Sequence, residues 1–83
     1  MVFPTVHLNG TSKNALREQA LDAVEALDKA LKAMAEAAPN GRDFYPQGEV
    51  VLVQAQVEHR ARMKEVEQVA SEYRAMVNAI DEL

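Results

Sequence analysis

Three short stretches hold most of the side chains with which this chain can do chemistry: HLNGTS at residues 7–12, NGRDFYPQGE at 40–49 and EHRAR at 58–62. In the second, Arg42, Asp43, Phe44 and Tyr45 set a guanidinium, a carboxylate and two flat rings side by side. That set can hold a nucleotide, with the rings stacked on a base, Arg on phosphate or a base face, and Asp accepting from ribose hydroxyls or a base amine. It also suits a structural role, in which Phe44 and Tyr45 plug the end of a helical bundle, Asp43 caps a turn and Pro46, Gln47 and Gly48 aim the next helix. In the third stretch His59, Arg60 and Arg62, followed by Lys64, form the one cationic cluster of an acidic protein. Either they wall a phosphate site, for which the planar guanidinium fork is suited, or their stems cover apolar surface while their heads pair with Glu58, Glu65 or Glu67. In the first stretch His7, Asn9 and Thr11 offer an imidazole, an amide and a hydroxyl beside a helix start, where exposed amide protons favour an anion. Simple helix capping is the alternative.

Catalysis finds little to work with. There is no cysteine, the two serines, Ser12 and Ser71, lie in no nucleophile motif, and no Gly-rich phosphate loop occurs. His7 and His59 are too few and too far apart for a metal motif, and Glu58-His59 lacks the i, i+4 histidine of a zincin helix. Carboxylate pairs such as Glu65/Glu67 and Asp81/Glu82 read as solvated surface. The expectation is a protein that is not an enzyme and uses no cofactor or metal.

These residues must be positioned by very little protein. Eighty-three residues make one domain at most, and a chain so short buries a small share of its surface, so self-association is expected. Absence of cysteine rules out a disulfide framework and fits a reducing cytoplasm. No run approaches the roughly 18 apolar residues of a membrane span, and MVFPTVHLNG has neither the basic start nor the apolar core of a secretion signal, so the chain reads as soluble. Nine Lys and Arg against thirteen Asp and Glu give a net charge of −4. At long range that charge repels a phosphate backbone and argues against general duplex DNA binding.

The supporting elements are helical. Residues 1–11 form an extended arm, because Pro4 interrupts regular structure and Asn9-Gly10 favours a turn. Thr11 or Ser12 caps a helix over 12–38, in which Ala20, Val24, Leu27, Leu31, Met34 and Ala38 recur at alternating spacings of four and three. Pro39-Asn40-Gly41 ends it, and residues 39–48 form a loop. A second helix spans 49–83, with Val66, Val69, Tyr73, Met76, Ile80 and Leu83 on one seam that runs back through Arg62 and His59. Within it Val53 to Val57 alternate like a half-buried strand, yet no second strand exists to pair with, so the helix is expected to continue. The fold class is therefore all-α: an antiparallel hairpin of two long helices with an N-terminal arm. Its core is too small alone and is completed by homo-oligomerisation, most simply as a dimeric four-helix bundle or in a larger ring of hairpins.

The three stretches together resemble a group of small bacteriophage proteins with an HLNGT-type start, a long helix, an RDYYPQG-type loop and a second long helix. The likeness covers nearly the whole chain. Phe44 stands where that pattern has Tyr, which removes a hydroxyl from the candidate site. More loosely, the hairpin plan is similar to the phage sponge proteins of the anti-CBASS and anti-Thoeris kind, which oligomerise and sequester cyclic nucleotide or cyclic ADP-ribose-type immune signals. That second likeness is of architecture only, so no binding residue is carried across from it. It implies that a small phage hairpin can be a ligand trap.

Two functions follow as expectations. One is a phage anti-defence protein of the host cytoplasm that sequesters a small anionic, nucleotide-derived signal at inter-subunit pockets, built from Arg42, Asp43, Phe44, Tyr45, His59, Arg60 and Arg62 with His7, Asn9 and Thr11 of the arm. The other is a protein-interaction module, an inhibitor or adaptor of a host or phage protein, or a small phage structural component.

Overall fold

The computed structural model describes all 83 residues, and every regular element in it is helical. Helix α1 spans Lys13–Glu36, a four-residue helix α2 spans Gly41–Phe44, a 3-10 turn follows over Tyr45–Gln47, and α3 spans Glu49–Asp81. The two long helices pack against each other as a hairpin. No helix is long and apolar enough to cross a membrane.

Each boundary has a local cause. Ser12, with extended backbone, caps α1 by accepting from the Ala15 amide at 3.2 Å, so Ser12 and not Thr11 satisfies a free donor of the first turn. The helix ends at Glu36, two residues short of Ala38. Proline disfavours helical backbone at the residue before it, so Pro39 acts already on Ala38. Gly48 adopts φ 97° and ψ 159°, a conformation open essentially to glycine alone, and thereby turns the chain into α3. From Glu49 the helix is unbroken through Val53–Val57, because intrahelical bonds satisfy a backbone that has no strand partner.

The core is a short strip between the long helices. Ala20 and Val24 of α1 and Ala70, Val77 and Ile80 of α3 are buried, with Leu16, Leu21, Tyr73 and Met76 packed around them. On α1 the buried line is the expected one through Ala20 and Val24, with Leu27, Leu31 and Met34 half-buried and Ala38 exposed. On α3 it is the expected one in part: His59, Val66, Tyr73, Met76 and Ile80 are buried or half-buried, whereas Arg62, Val69 and Leu83 are exposed and Met63, Ala70 and Val77 complete the seam. Small Ala70 at the contact lets the two backbones approach, which rotates α3 until Val69 faces outward.

Polar clasps hold the end where the chain termini meet. The Arg17 Nε donates to Asp81 Oδ1 at 2.7 Å, Arg74 pairs with Asp28, and Lys13 Nζ reaches the carbonyls of Asp81 and Leu83 at 3.4 Å each. The antiparallel register that results leaves α3, with 33 residues against 24 in α1, running past its partner at the loop end. Nine extra residues amount to about 13 Å of helix. The short α2 and the 3-10 turn flank that segment, and a Cβ added to Gly41 would lie 4.0 Å from the Leu52 side chain. The molecule is a rod of 61 × 19 × 17 Å with five buried residues, all in the terminal half.

Candidate ligand site at the loop end

The loop is more ordered than a hinge requires. Asn40, with extended backbone, caps α2: its side-chain oxygen accepts from the Asp43 amide at 3.2 Å while its Nδ2 donates to Asp43 Oδ2 at 3.0 Å. The exchange resembles a capping box with a short acid at the third position. One oxygen of Asp43 is thus engaged in holding the turn. Phe44 is half-buried, while Arg42 and Tyr45 project into solvent, Tyr45 with 78% of its surface exposed.

Beside the loop, Ala38 and Pro39 face Gln56, His59 and Arg60 of α3 across a groove of about 250 Å³. His59 sits at the last position of the α3 seam, half-buried, and its Nε2 is shielded from solvent with no hydrogen-bond partner. A buried imidazole nitrogen without a partner costs on the order of 1–3 kcal/mol, which makes it the clearest unmet hydrogen-bonding demand in the molecule. Arg60 lines the same groove, and neither Arg60 nor Arg42 has an ion-pair or hydrogen-bond partner within the chain.

The cationic cluster EHRAR does not form one wall. Successive residues of a helix diverge by about 100°, so Arg60 and Arg62 leave α3 about 160° apart, on opposite flanks of the seam. Arg62 lies with Glu58, one turn earlier, at 3.9 Å on the exposed flank. Arg60 and Lys64 share the other. The expected phosphate wall is corrected accordingly: the groove keeps His59 and Arg60 and loses Arg62. Gln56, which sequence reasoning passed over, joins it; its i−3 spacing to His59 was the available signal.

The arm residues lie elsewhere. Thr11 and Asn9 immediately precede α1, at the end opposite the loop, and α1 alone is about 36 Å long. His7 is exposed, and its ring folds over Gly10, where an added Cβ would come within 2.6 Å of Nε2. The Gly10 amide donates to the His7 carbonyl at 3.1 Å. Glycine at 10 therefore serves a close approach inside the arm. Within one chain, His7, Asn9 and Thr11 do not meet Arg42, Tyr45, His59 or Arg60.

No family model, curated protein or solved structure matches the chain.

Proposed function

We propose that the protein is a non-enzymatic, homo-oligomeric trap for a small anionic, nucleotide-derived signalling molecule. The observation that carries this reading is the groove at the loop end, where an unpartnered imidazole nitrogen and an unpaired guanidinium lie beside Pro39. Arg60 would meet phosphate or base edges, His59 Nε2 would join it once a side-chain shift uncovers the atom, and exposed Arg42 and Tyr45 would close over the ligand by charge and stacking. Asn9, Thr11 and His7 would come from another subunit, since their own lie a helix length away. Arg62 stands outside this pocket. On the resemblance to small phage hairpin proteins, such a trap would work in an infected host's cytoplasm and act against a cyclic oligonucleotide or cyclic ADP-ribose-type immune signal by stoichiometric capture.

Isothermal titration against cyclic dinucleotides, cyclic trinucleotides and ADP-ribose derivatives tests the reading. The expected result is saturable heat with at least one class at micromolar protein, reduced at least about tenfold in affinity by Arg60→Ala, the size of effect one lost charge-assisted contact gives. No heat with any class overturns it. Native mass spectrometry of protein from infected, defence-active cells would show a retained mass of a few hundred daltons if the trap fills, and a stoichiometric polypeptide if the hairpin is an interaction module.

A further inference from the structure

A second apolar surface lies on the back of α3, away from α1. Val50, Val53 and Val57 are 81%, 51% and 51% exposed. Their spacing of three and four puts them within about 60° of arc, some 120–180° around the helix from the buried seam. The loop elements pack near Leu52, on the other side, so they leave this stripe bare. A shallow hollow lined by Glu49, Val50 and Val53 already indents it. The other bare apolar surface is the arm, where Val2, Phe3, Val6 and Leu8 are all exposed.

We propose that these two surfaces cover each other between copies: the N-terminal arm of a second, antiparallel copy packs on Val50, Val53 and Val57. This deepens the homo-oligomeric part of the reading above and is independent of any ligand. The chain's own arm fails on reach. Its root at Lys13 lies level with Asp81, 28 residues along α3 from Val53, or about 42 Å of helix. Twelve arm residues span about 40 Å only when fully extended, so at most the arm's tip approaches the nearest valine. A parallel second copy has its arm root at the same level and fails likewise. An antiparallel copy places that root beside the loop end, within a few residues of the stripe.

Charge favours the same orientation. Divided at the middle of α3, the loop half (35–64) carries four basic and four acidic residues, and the rest carries five basic and nine acidic. Parallel copies would set two halves of net −4 side by side, whereas antiparallel copies set each against a neutral half in which Arg60 and Lys64 flank the stripe. Area agrees as well. The chain exposes 6191 Å², where a compact monomer of its 9.2 kDa would expose about 4,900 Å². The excess surpasses the roughly 800 Å² that each partner of a standard interface buries. The docked arm would bring His7, Asn9 and Thr11 of one copy to the loop end of the other, on the face of α3 opposite His59 and nearer Arg60.

The chain has no cysteine, so single cysteines report contacts cleanly. Leu8→Cys protein mixed with separately tagged Val53→Cys protein, without ligand, is expected to give the mixed disulfide dimer under mild oxidation. Sedimentation equilibrium is expected to show a dimer whose dissociation constant rises about tenfold to a hundredfold in Val53→Asp, the effect of losing one buried valine contact. A dimer without the mixed crosslink overturns the arm docking and leaves the oligomeric trap standing. A monomer at every concentration overturns both, and frees the stripe for a different protein. Should Val53→Asp fail to fold, the crosslink decides alone, since cysteine at these exposed positions leaves the hairpin core untouched.

Discussion

The two ends of the hairpin use similar side chains in opposite ways. At the terminal end Lys13, Arg17 and Arg74 are all engaged, with carbonyls, Asp81 and Asp28, around a core that contains every buried residue of the chain. At the loop end Arg42 and Arg60 have no partner in the chain, a shielded imidazole nitrogen goes unmatched, and no residue is fully buried. One end spends its polar groups on its own fold. The other pairs Asn40 with Asp43 and Arg62 with Glu58 but leaves Arg60 and the His59 nitrogen unpaired at a groove, which is the condition a binding site needs and a stabilising contact does not.

If stability is concentrated at the terminal end, the largest effect should come from its core. Ile80 is fully buried, and Ile80→Ala removes methyl groups from a contact with few neighbours to spare. The expected cost is about 2–4 kcal/mol, read as a fall in urea midpoint. Leu52→Ala at the loop end, a half-buried site, should cost about half as much or less. Equal costs would erase the contrast between the ends.

Next in size is the backbone at Gly48. Its φ of 97° with nothing within 4 Å of an added Cβ means that Gly48→Ala meets backbone strain and no collision. A cost of about 1–3 kcal/mol is expected in thermal unfolding, with the α3 start loosened as seen by amide exchange over Glu49–Leu52. If the variant is as stable as the parent, the loop end is a slack hinge and does not hold the groove in shape.

Much of the fold was legible in the sequence, and the misses have physical causes. The breaker-free run and its four-three spacing mark α1, and Pro39 marks its end. On α3 the residues 66, 73 and 80 belong to two neighbouring seams, one through Val69 and Met76 and one through Ala70 and Val77. Choosing by side-chain size favours the first, but helix contact distance favours the second because Ala70 is small. Helix α2 is too short for periodicity to register; only Asn40 and Asp43, three apart, hint at it. The candidate site was legible as composition and misleading as geometry. Adjacent letters in EHRAR look like a cluster, yet on a helix neighbouring residues diverge, and whether His59 has a partner depends on how Pro39 packs, which no spacing reveals.

The smallest stability effects make the sharpest comparison, because two arginines can be removed one at a time. Arg74→Ala breaks the interhelix pair with Asp28, whose side chains are each about half exposed; the expected loss is about 0.2–1 kcal/mol, shrinking as salt is raised, with ligand affinity unchanged. Arg60→Ala removes a side chain with no partner in the chain, so stability should stay within about 0.5 kcal/mol of the parent while ligand affinity falls. Measured side by side by urea titration and calorimetry, the two variants should show opposite patterns. If Arg60→Ala instead destabilises the hairpin as much as Arg74→Ala, its guanidinium is covering apolar surface like an ordinary stem, and the loop end stores no unpaired cation for a ligand to use.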